Sequence, residues 1–353
     1  MIRVGIVGFG MAARVFHAPL ISSVEGLELA AVVERRSDQA AERYPGITTY
    51  RSVEDLFADA TIRLVVVATP NSSHFQIALQ ALEAAKNVVV DKPVALTAAE
   101  IAQLGELAGG IGLRLFPFHN RRFDNDFQTI RKLMDERSLG RAVHFESNFD
   151  RWRPGLSTRP WKEETDEGGI LLDLGTHLVD QALVLFGLPA AVGAEVRRER
   201  DGDGANDSFT IRLHYLTGFS VTLGANCLSS LARPRFHLRG TRGNFWKWGL
   251  DPQEDALNQV AKITDTNWGQ EPAERWGTLS VDVDGGVVTR PVPSAVGDYR
   301  LFYAAVRDVL MGNSEALPVT PAEAWRAARV LEWAKESSDQ HRDVECDWSG
   351  EPA

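Results

Sequence analysis

Met1-Ile2-Arg3-Val4-Gly5-Ile6-Val7-Gly8-Phe9-Gly10-Met11-Ala12-Ala13 is the stretch on which the fold turns. Arg3–Val7 is an apolar run of strand length, and Gly8 to Ala13 has the G-x-G-x-x-A form of a dinucleotide-binding turn. Gly8 permits the tight turn, Gly10 lets the backbone approach a pyrophosphate, and Ala13 lets a helix pack closely on the strand. The pyrophosphate would sit on amides at the positive end of that helix. Many glycine turns bind nothing; the informative part is the place of this one, between a strand and a helix at the head of a β-α-β series. Gly8, Phe9, Gly10, Met11 and Ala12 are therefore cofactor-binding candidates.

Working outward, strand-length runs recur at Leu27–Val33, Arg63–Ala68, Asn87–Val90 and Leu113–Phe118. Ser52-Val53-Glu54-Asp55 and Thr97-Ala98-Ala99-Glu100 between them read as helix capping boxes. Buried strands alternating with helices imply a doubly wound parallel sheet, which takes ligands beyond the carboxyl ends of its strands. After Phe118 the pattern changes. Helices near Phe123–Arg137 and Ile170–Phe186 precede strand-like runs at Ala142–Phe149, Ala191–Arg198, Ser208–Tyr215, Ser220–Cys227, Phe236–Gly240 and Leu279–Val283. Grouped strands predict an α+β domain with a large, mostly antiparallel open sheet. Two helices follow, near Tyr299–Met311 and Pro321–Ser337, and Asp251–Arg275 reads as a polar, irregular excursion. The expected fold is α/β: a Rossmann domain over residues 1–120 and a substrate-binding and oligomerisation domain over 121–353.

Composition sets limits. A chain of 353 residues with 44% hydrophobic and 24% charged residues has apolar mass for two cores. Its net charge of −10 disfavours nucleic acid and anionic membrane as main partners, because both need a clustered basic face. The two cysteines, Cys227 and Cys346, supply no disulfide framework, which together with the absence of a secretory signal pattern points to the cytoplasm. No apolar run reaches the length of a membrane span.

The second strand ends at Glu34, 21 positions past Ala13, where an acid would bind the ribose hydroxyls and favour NAD. Arg35 and Arg36 follow at once, and either would suit a 2′-phosphate, so NAD and NADP both stay open. Three features carry the chemistry. Lys92 in Val90-Asp91-Lys92-Pro93 stands at the carboxyl end of a strand, where its ammonium can steady a developing alkoxide. Asp173, His177 and Asp180 are spaced i, i+4, i+7 on one expected helix, and His177 can serve as general base or acid. Phe118-His119-Asn120-Arg121-Arg122-Phe123-Asp124 lies at the junction of the two domains. The plainer readings are a turn for Lys-Pro and a structural hydrogen-bonded pair for Asp173 and His177. A metal site lacks a third ligand of recognisable spacing, so none is expected.

Together these residues resemble the glucose–fructose oxidoreductase / inositol dehydrogenase (Gfo/Idh/MocA) family. The resemblance runs from Gly8-Phe9-Gly10 through Ala68-Thr69-Pro70-Asn71-Ser72-Ser73-His74 and Asp91-Lys92-Pro93 to Asp173-Leu174-Gly175-Thr176-His177. Asp91 stands where the family has glutamate. His119 to Phe127, Phe149-Asp150-Arg151-Trp152-Arg153-Pro154 and Gly249-Leu250-Asp251-Pro252-Gln253-Glu254 look like the scyllo-inositol-dehydrogenase branch, whose members tend to use NADP. The resemblance implies that Thr69, Asn71 and His74 line the nicotinamide half of the cleft and that Trp161 and Lys162 touch the cofactor. It makes Asn120 and Arg153 candidates for substrate hydroxyls, with an Asp150–Arg153 ion pair as the structural alternative. It further implies a homodimer or homotetramer, no metal, and a sugar or polyol substrate from whose hydroxyl His177 takes the proton while Lys92 binds the oxygen and Asp173 orients. Alternatives on the same scaffold are a reductase of other keto-sugars, carbonyls or imines, and a dinucleotide sensor without turnover, to which a proton relay would be of no use.

Overall fold

The computed structural model describes residues 1–155, 168–259 and 263–352. Its first sheet comprises β1 (Ile2–Val7), β2 (Leu27–Val33), β3 (Thr48–Tyr50), β4 (Leu64–Val67), β5 (Asn87–Val90) and β6 (Leu115–Pro117). They lie in the order β3-β2-β1-β4-β5-β6, and every neighbouring pair is parallel. The valines of β4 and β5 are wholly buried because helices cover both faces of the sheet. The winding reverses between β1 and β4, and the crevice past their carboxyl ends is the ligand position of such a sheet.

The intervening helices are α1 (Ala18–Ser23), α2 (Gln39–Arg43), α3 (Val53–Ala58), α4 (His74–Glu83) and α5 (Ala98–Gly110). α5 starts with the full capping box, Thr97 and Glu100 each satisfying the other's backbone N–H. α3 has half of one: Ser52 accepts from the Asp55 amide, but its hydroxyl donates to the Asp55 carboxylate instead of leaving that group to reach back. The difference is one of length, since a glutamate spans the turn that an aspartate does not.

The second sheet comprises β7 (Ala142–Asn148), β8 (Ala191–Arg197), β9 (Ser208–His214), β10 (Ser220–Asn226), β11 (Phe236–Gly240), β12 (Gly243–Lys247), β13 (Gly277–Val283), β14 (Gly286–Val292) and β15 (Val344–Glu345). It is ordered β14-β13-β12-β11-β7-β10-β9-β8-β15, with β7 and β10 the parallel pair in an otherwise antiparallel sheet. Ile211, Leu213, Val221, Leu223, Phe236 and Leu238 alternate onto one face and bury it against α6 (Asn125–Asp135) and α7 (Thr176–Phe186). The edge strand β14 keeps Val287 and Val288 exposed. Among the described residues, the irregular excursion contains a short helix, α8 (Gln253–Asn258), and a 3-10 turn at Ala273–Arg275.

The closing helices, α9 (Arg300–Leu310) and α10 (Pro321–Gln340), do not stay with the second sheet, although sequence order groups them there. Phe302, Tyr303 and Val306 of α9 complete the core beneath β1. α10 straddles both cores: Ala324 and Trp325 pack with the first sheet's apolar residues, while Ala327, Val330, Leu331 and Ala334 pack with the second's. Each fully buried side chain of this size contributes about 1.5–3 kcal/mol, so α10 couples the two layers strongly.

A π-helical turn at Ala13–His17 leads into α1 and places His17 at the heart of the first core. Its Nδ1 accepts from the Tyr303 hydroxyl at 2.7 Å and its ring rests on Phe118, 4.4 Å between centroids. Burial pushes its pKa down to about 4, against the pull of Asp91. The folded value lies below the ordinary 6.5, so this contribution to stability is complete above pH 6.5 and is lost as pH falls toward 4. His17→Asn should therefore remove on the order of 3 kcal/mol from the pH dependence of unfolding between pH 6.5 and 4, read from urea midpoints at several pH values.

Candidate active site

The glycine turn meets the demands of a dinucleotide. Gly8 has φ +89°, and a Cβ there would come within 2.8 Å of the Ala68 carbonyl oxygen, so neither the conformation nor the space admits another residue. A Cβ on Gly10 would meet nothing within 4 Å: the backbone there borders open space. Met11 and Ala12 begin the helix above it, and the amides of a first turn have no acceptor within the helix. Phe9 turns the other way, buried against the edge of Tyr44.

Two cofactor candidates are placed otherwise than expected. Glu34 is buried, its Oε1 accepting from Ser37 Oγ (2.6 Å) and its Oε2 from the Ala40 amide (2.8 Å). The carboxylate thus ties down the loop after β2, which Arg51 also braces through the carbonyls of Glu34 and Ser37, and it is not presented to a ribose. Arg35 and Arg36 stand exposed on that loop. His74 is fully buried, its ring held between the carbonyl oxygens of Pro93 (2.7 Å) and Thr69 (2.8 Å). It therefore shapes the cleft by joining two loops rather than by facing it. Thr69 and Asn71 are half-buried on the turn after β4, where Thr69 Oγ1 accepts from Ser73 Oγ at 2.8 Å. Trp161 and Lys162 lie outside the described residues.

Lys92 follows β5, and its Nζ donates to both the carbonyl oxygen and Oδ1 of Asp173, each at 2.7 Å. An ammonium has three protons, so one is left for a further acceptor. Asp173 sits in a second π-helical turn, Leu171–Gly175, which continues into α7. That turn lies within the expected helix over Ile170–Phe186, which runs on without interruption, and its wider winding shifts Asp173 relative to His177 and Asp180. Asp173 projects partly exposed toward Lys92, while His177 and Asp180 are buried. Asp180 belongs to a different group: both its oxygens accept from Arg122, at 2.9 and 2.7 Å, and Arg122 also donates to Glu323 of α10.

His177 is buried, and its Nδ1 is sealed from solvent without a hydrogen-bond partner. Burial, followed by the charges of Lys92 and Arg121, pushes its pKa well below the usual imidazole range although Asp173 opposes. The ring is thus neutral at neutral pH and able to accept a proton. Asn120 is buried at the start of the turn Asn120–Phe123, beside this group in sequence and fold. Arg153 is exposed, and Asp150 pairs not with it but with Arg233 in a bidentate contact at 2.9 and 2.8 Å. Asp150 and Arg233 are brought together by the loop after β10, which no local sequence signal announces. Among the described residues, no three His, Cys, Asp or Glu side chains gather as a metal site, and no helix is long and apolar enough to cross a membrane.

A dinucleotide cradle at the switch of a parallel sheet, with an ammonium, a carboxylate and an imidazole at its edge, is the plan of a nicotinamide-dependent oxidoreductase. Residues 2–119 match the oxidoreductase family with NAD-binding Rossmann fold, and residues 127–246 match the GFO/IDH/MocA C-terminal domain. The chain belongs to the Gfo/Idh/MocA family. Its relatives include the uncharacterized oxidoreductase YdgJ of Escherichia coli (38% identical, covering 98% of both chains). They also include scyllo-inositol 2-dehydrogenase (NADP(+)) IolW of Bacillus subtilis, 34% identical over 97% of this chain and 95% of the other. The solved structure of yvaA from Bacillus subtilis superposes with a TM-score of 0.94 at 34% identity, over 98% of each chain.

If Asp180 is a structural partner, Asp180→Ala should lower stability by about 3 kcal/mol, because it takes the bidentate partner from the largely buried Arg122 guanidinium and leaves it Glu323 alone. Chemical denaturation of the variant measures that loss directly.

Proposed function

We propose that this protein oxidises a secondary hydroxyl of a sugar or cyclic polyol, or reduces the matching ketone, with NADP as the favoured partner. The observation that carries the reading is the Lys92–Asp173 contact beside a buried, neutral His177. The bound nicotinamide supplies the site for hydride at the substrate carbon. The chain's own residues handle the proton. Lys92 Nζ spends two of its protons on Asp173, so its third points the ammonium at one substrate oxygen. There it stabilises the charge that develops as the C–H bond weakens. Nε2 of His177 accepts the hydroxyl proton in oxidation and returns it in reduction. Asp173 keeps the ammonium in place. The named activity of the IolW relative supports a cyclic polyol.

NADP is favoured by the disposition of the loop after β2. Two exposed arginines, Arg35 and Arg36, follow Glu34 there and could pair with a 2′-phosphate, and the IolW relative is named for NADP(+). Arg35→Ala should raise KM for NADP by about tenfold, roughly 1.4 kcal/mol, and leave KM for NAD nearly unchanged. Equal effects on both dinucleotides would remove the assignment.

Lys92→Ala should lower kcat at least a hundredfold while dinucleotide affinity, followed by nicotinamide fluorescence, changes little, on the order of 3 kcal/mol at the transition state alone. In the wild type, alcohol oxidation should hold its rate as pH falls to 6.5 and decline only below it, because the lowered pKa keeps His177 in its basic form. A decline centred above pH 7 would assign the base elsewhere.

A further inference from the structure

Arg151 and Glu254 border the Lys92–Asp173 pair and take no part in the proton chemistry above. Arg151 follows β7 with its backbone fastened on both sides: its amide donates to Asn226 (2.9 Å) and its carbonyl accepts from the Ser229 amide (3.1 Å). Its guanidinium lies over the Phe149 ring, 5.6 Å from the centroid, and 3.7 Å from Asp173 Oδ2. Among the described residues it makes no side-chain hydrogen bond. The other buried arginines near it all do: Arg121 to Asp124 and Glu254, Arg235 to Ser147 and Gln181. Burial pushes the Arg151 pKa down from its ordinary value, with Asp173 opposing. A partly open guanidinium that spends none of its five donors within the described fold keeps all of them available to a ligand.

Glu254 is the matching acceptor. The irregular excursion delivers it on the first turn of α8, where Oε2 accepts from Arg121 Nη2 at 2.5 Å. Among the described residues its Oε1 takes no hydrogen bond. Although burial opposes ionisation, Arg121, Arg151 and Lys92 hold its pKa below the usual carboxylate value, so it is an ionised acceptor. Both side chains remain partly open, 23% for Arg151 and 32% for Glu254, as Lys92 and Asp173 do at 17% and 33%. Arg151 lies 3.7 Å from Asp173, which holds Lys92, and Glu254 lies within electrostatic reach of both cations.

We infer that Arg151 and Glu254 form a second station of the substrate pocket, gripping the hydroxyls next to the reacting carbon of a neutral, polyhydroxylated ring. This rests on the polyol reading above and deepens it. Each hydroxyl of such a ring both donates and accepts, which suits a wall where a fork of N–H donors alternates with carboxylate oxygens. An anionic sugar acid suits it less, since Asp173 and Glu254 already balance the positive charge of Lys92 and Arg151. The station explains how a site with a generic proton relay would discriminate against simple alcohols: their binding would leave the guanidinium and Oε1 unpaired. Phe149 sets its geometry by carrying Arg151 and Arg121 on one ring, at 5.6 and 4.9 Å.

The test is calorimetric titration of myo-inositol into the NADPH-loaded protein, a dead-end pair in which no hydride can move. Arg151→Met and Glu254→Gln should each weaken inositol binding tenfold or more, and Arg151→Lys should also weaken it because an ammonium lacks the planar fork. NADPH affinity and melting temperature should stay near wild type in all three. If Arg151→Met fails to fold, Arg151→Lys and Glu254→Gln carry the measurement. Unchanged inositol binding in the folded variants overturns the proposal, as does a wild type that binds no inositol or prefers glucuronate. Inositol binding lost in the variants, in a protein that turns over no polyol, would sustain the station while defeating the proposed activity. Turnover of inositol with unaltered binding in the variants would do the reverse.

Discussion

The contact between Lys92 and Asp173 holds the working parts of this molecule in one place. It joins residues 81 apart in sequence, one at the carboxyl end of a parallel strand and one in the turn that opens α7. As a source of stability such a half-exposed pair is modest. Its importance is geometrical. An ammonium on four methylenes has many rotamers, and two acceptors on one residue reduce them to one. The same carboxylate lies 3.7 Å from Arg151, so one aspartate sets the position of two cations.

The pair keeps its geometry because the elements behind it are locked by stronger means. Arg122 is shared between Asp180 of α7 and Glu323 of α10, and Glu323 simultaneously caps its own helix through Thr320. The junction stretch, the helix bearing His177 and the helix that spans both cores are thus tied at a single point. α10 adds apolar burial on both sides of that tie. Relative movement of the two sheets near the site would have to break a buried ion network as well as open the core, a combination that costs far more than a surface contact.

Much of this was legible in the chain as written. The opening strand and glycine turn announce the parallel sheet, and the Thr97–Glu100 box announces α5 to the residue. Of the residues offered by a strand end and a helix, the fold joins Lys92 to Asp173 directly and sets His177 within electrostatic reach of both. Other readings were not available locally. Glu34 stands at the expected position for a ribose ligand, yet the hydroxyl of Ser37 and the amide of Ala40 reach its carboxylate first. His74 belongs to the quoted motif but is turned inward between two carbonyls. Arg153, three residues from Asp150, is its nearest candidate partner along the chain, whereas the fold returns Arg233 from 83 residues on to take that place.

The sequence by itself determined the local matters: strand and helix periods, the turn that only glycine at positive φ can make, the capping boxes, and which residue types were available for proton transfer. Those depend on neighbours within a few positions, so their physics is written along the chain. Only the tertiary structure decided which charges meet. It brought Arg151 and Glu254 toward Lys92 from a strand end and an irregular excursion, and sent Asp180 away to Arg122. It also returned α9 and α10 to the first sheet. Electrostatic and apolar contacts act through space with no memory of sequence separation, so their partners are settled when the cores close.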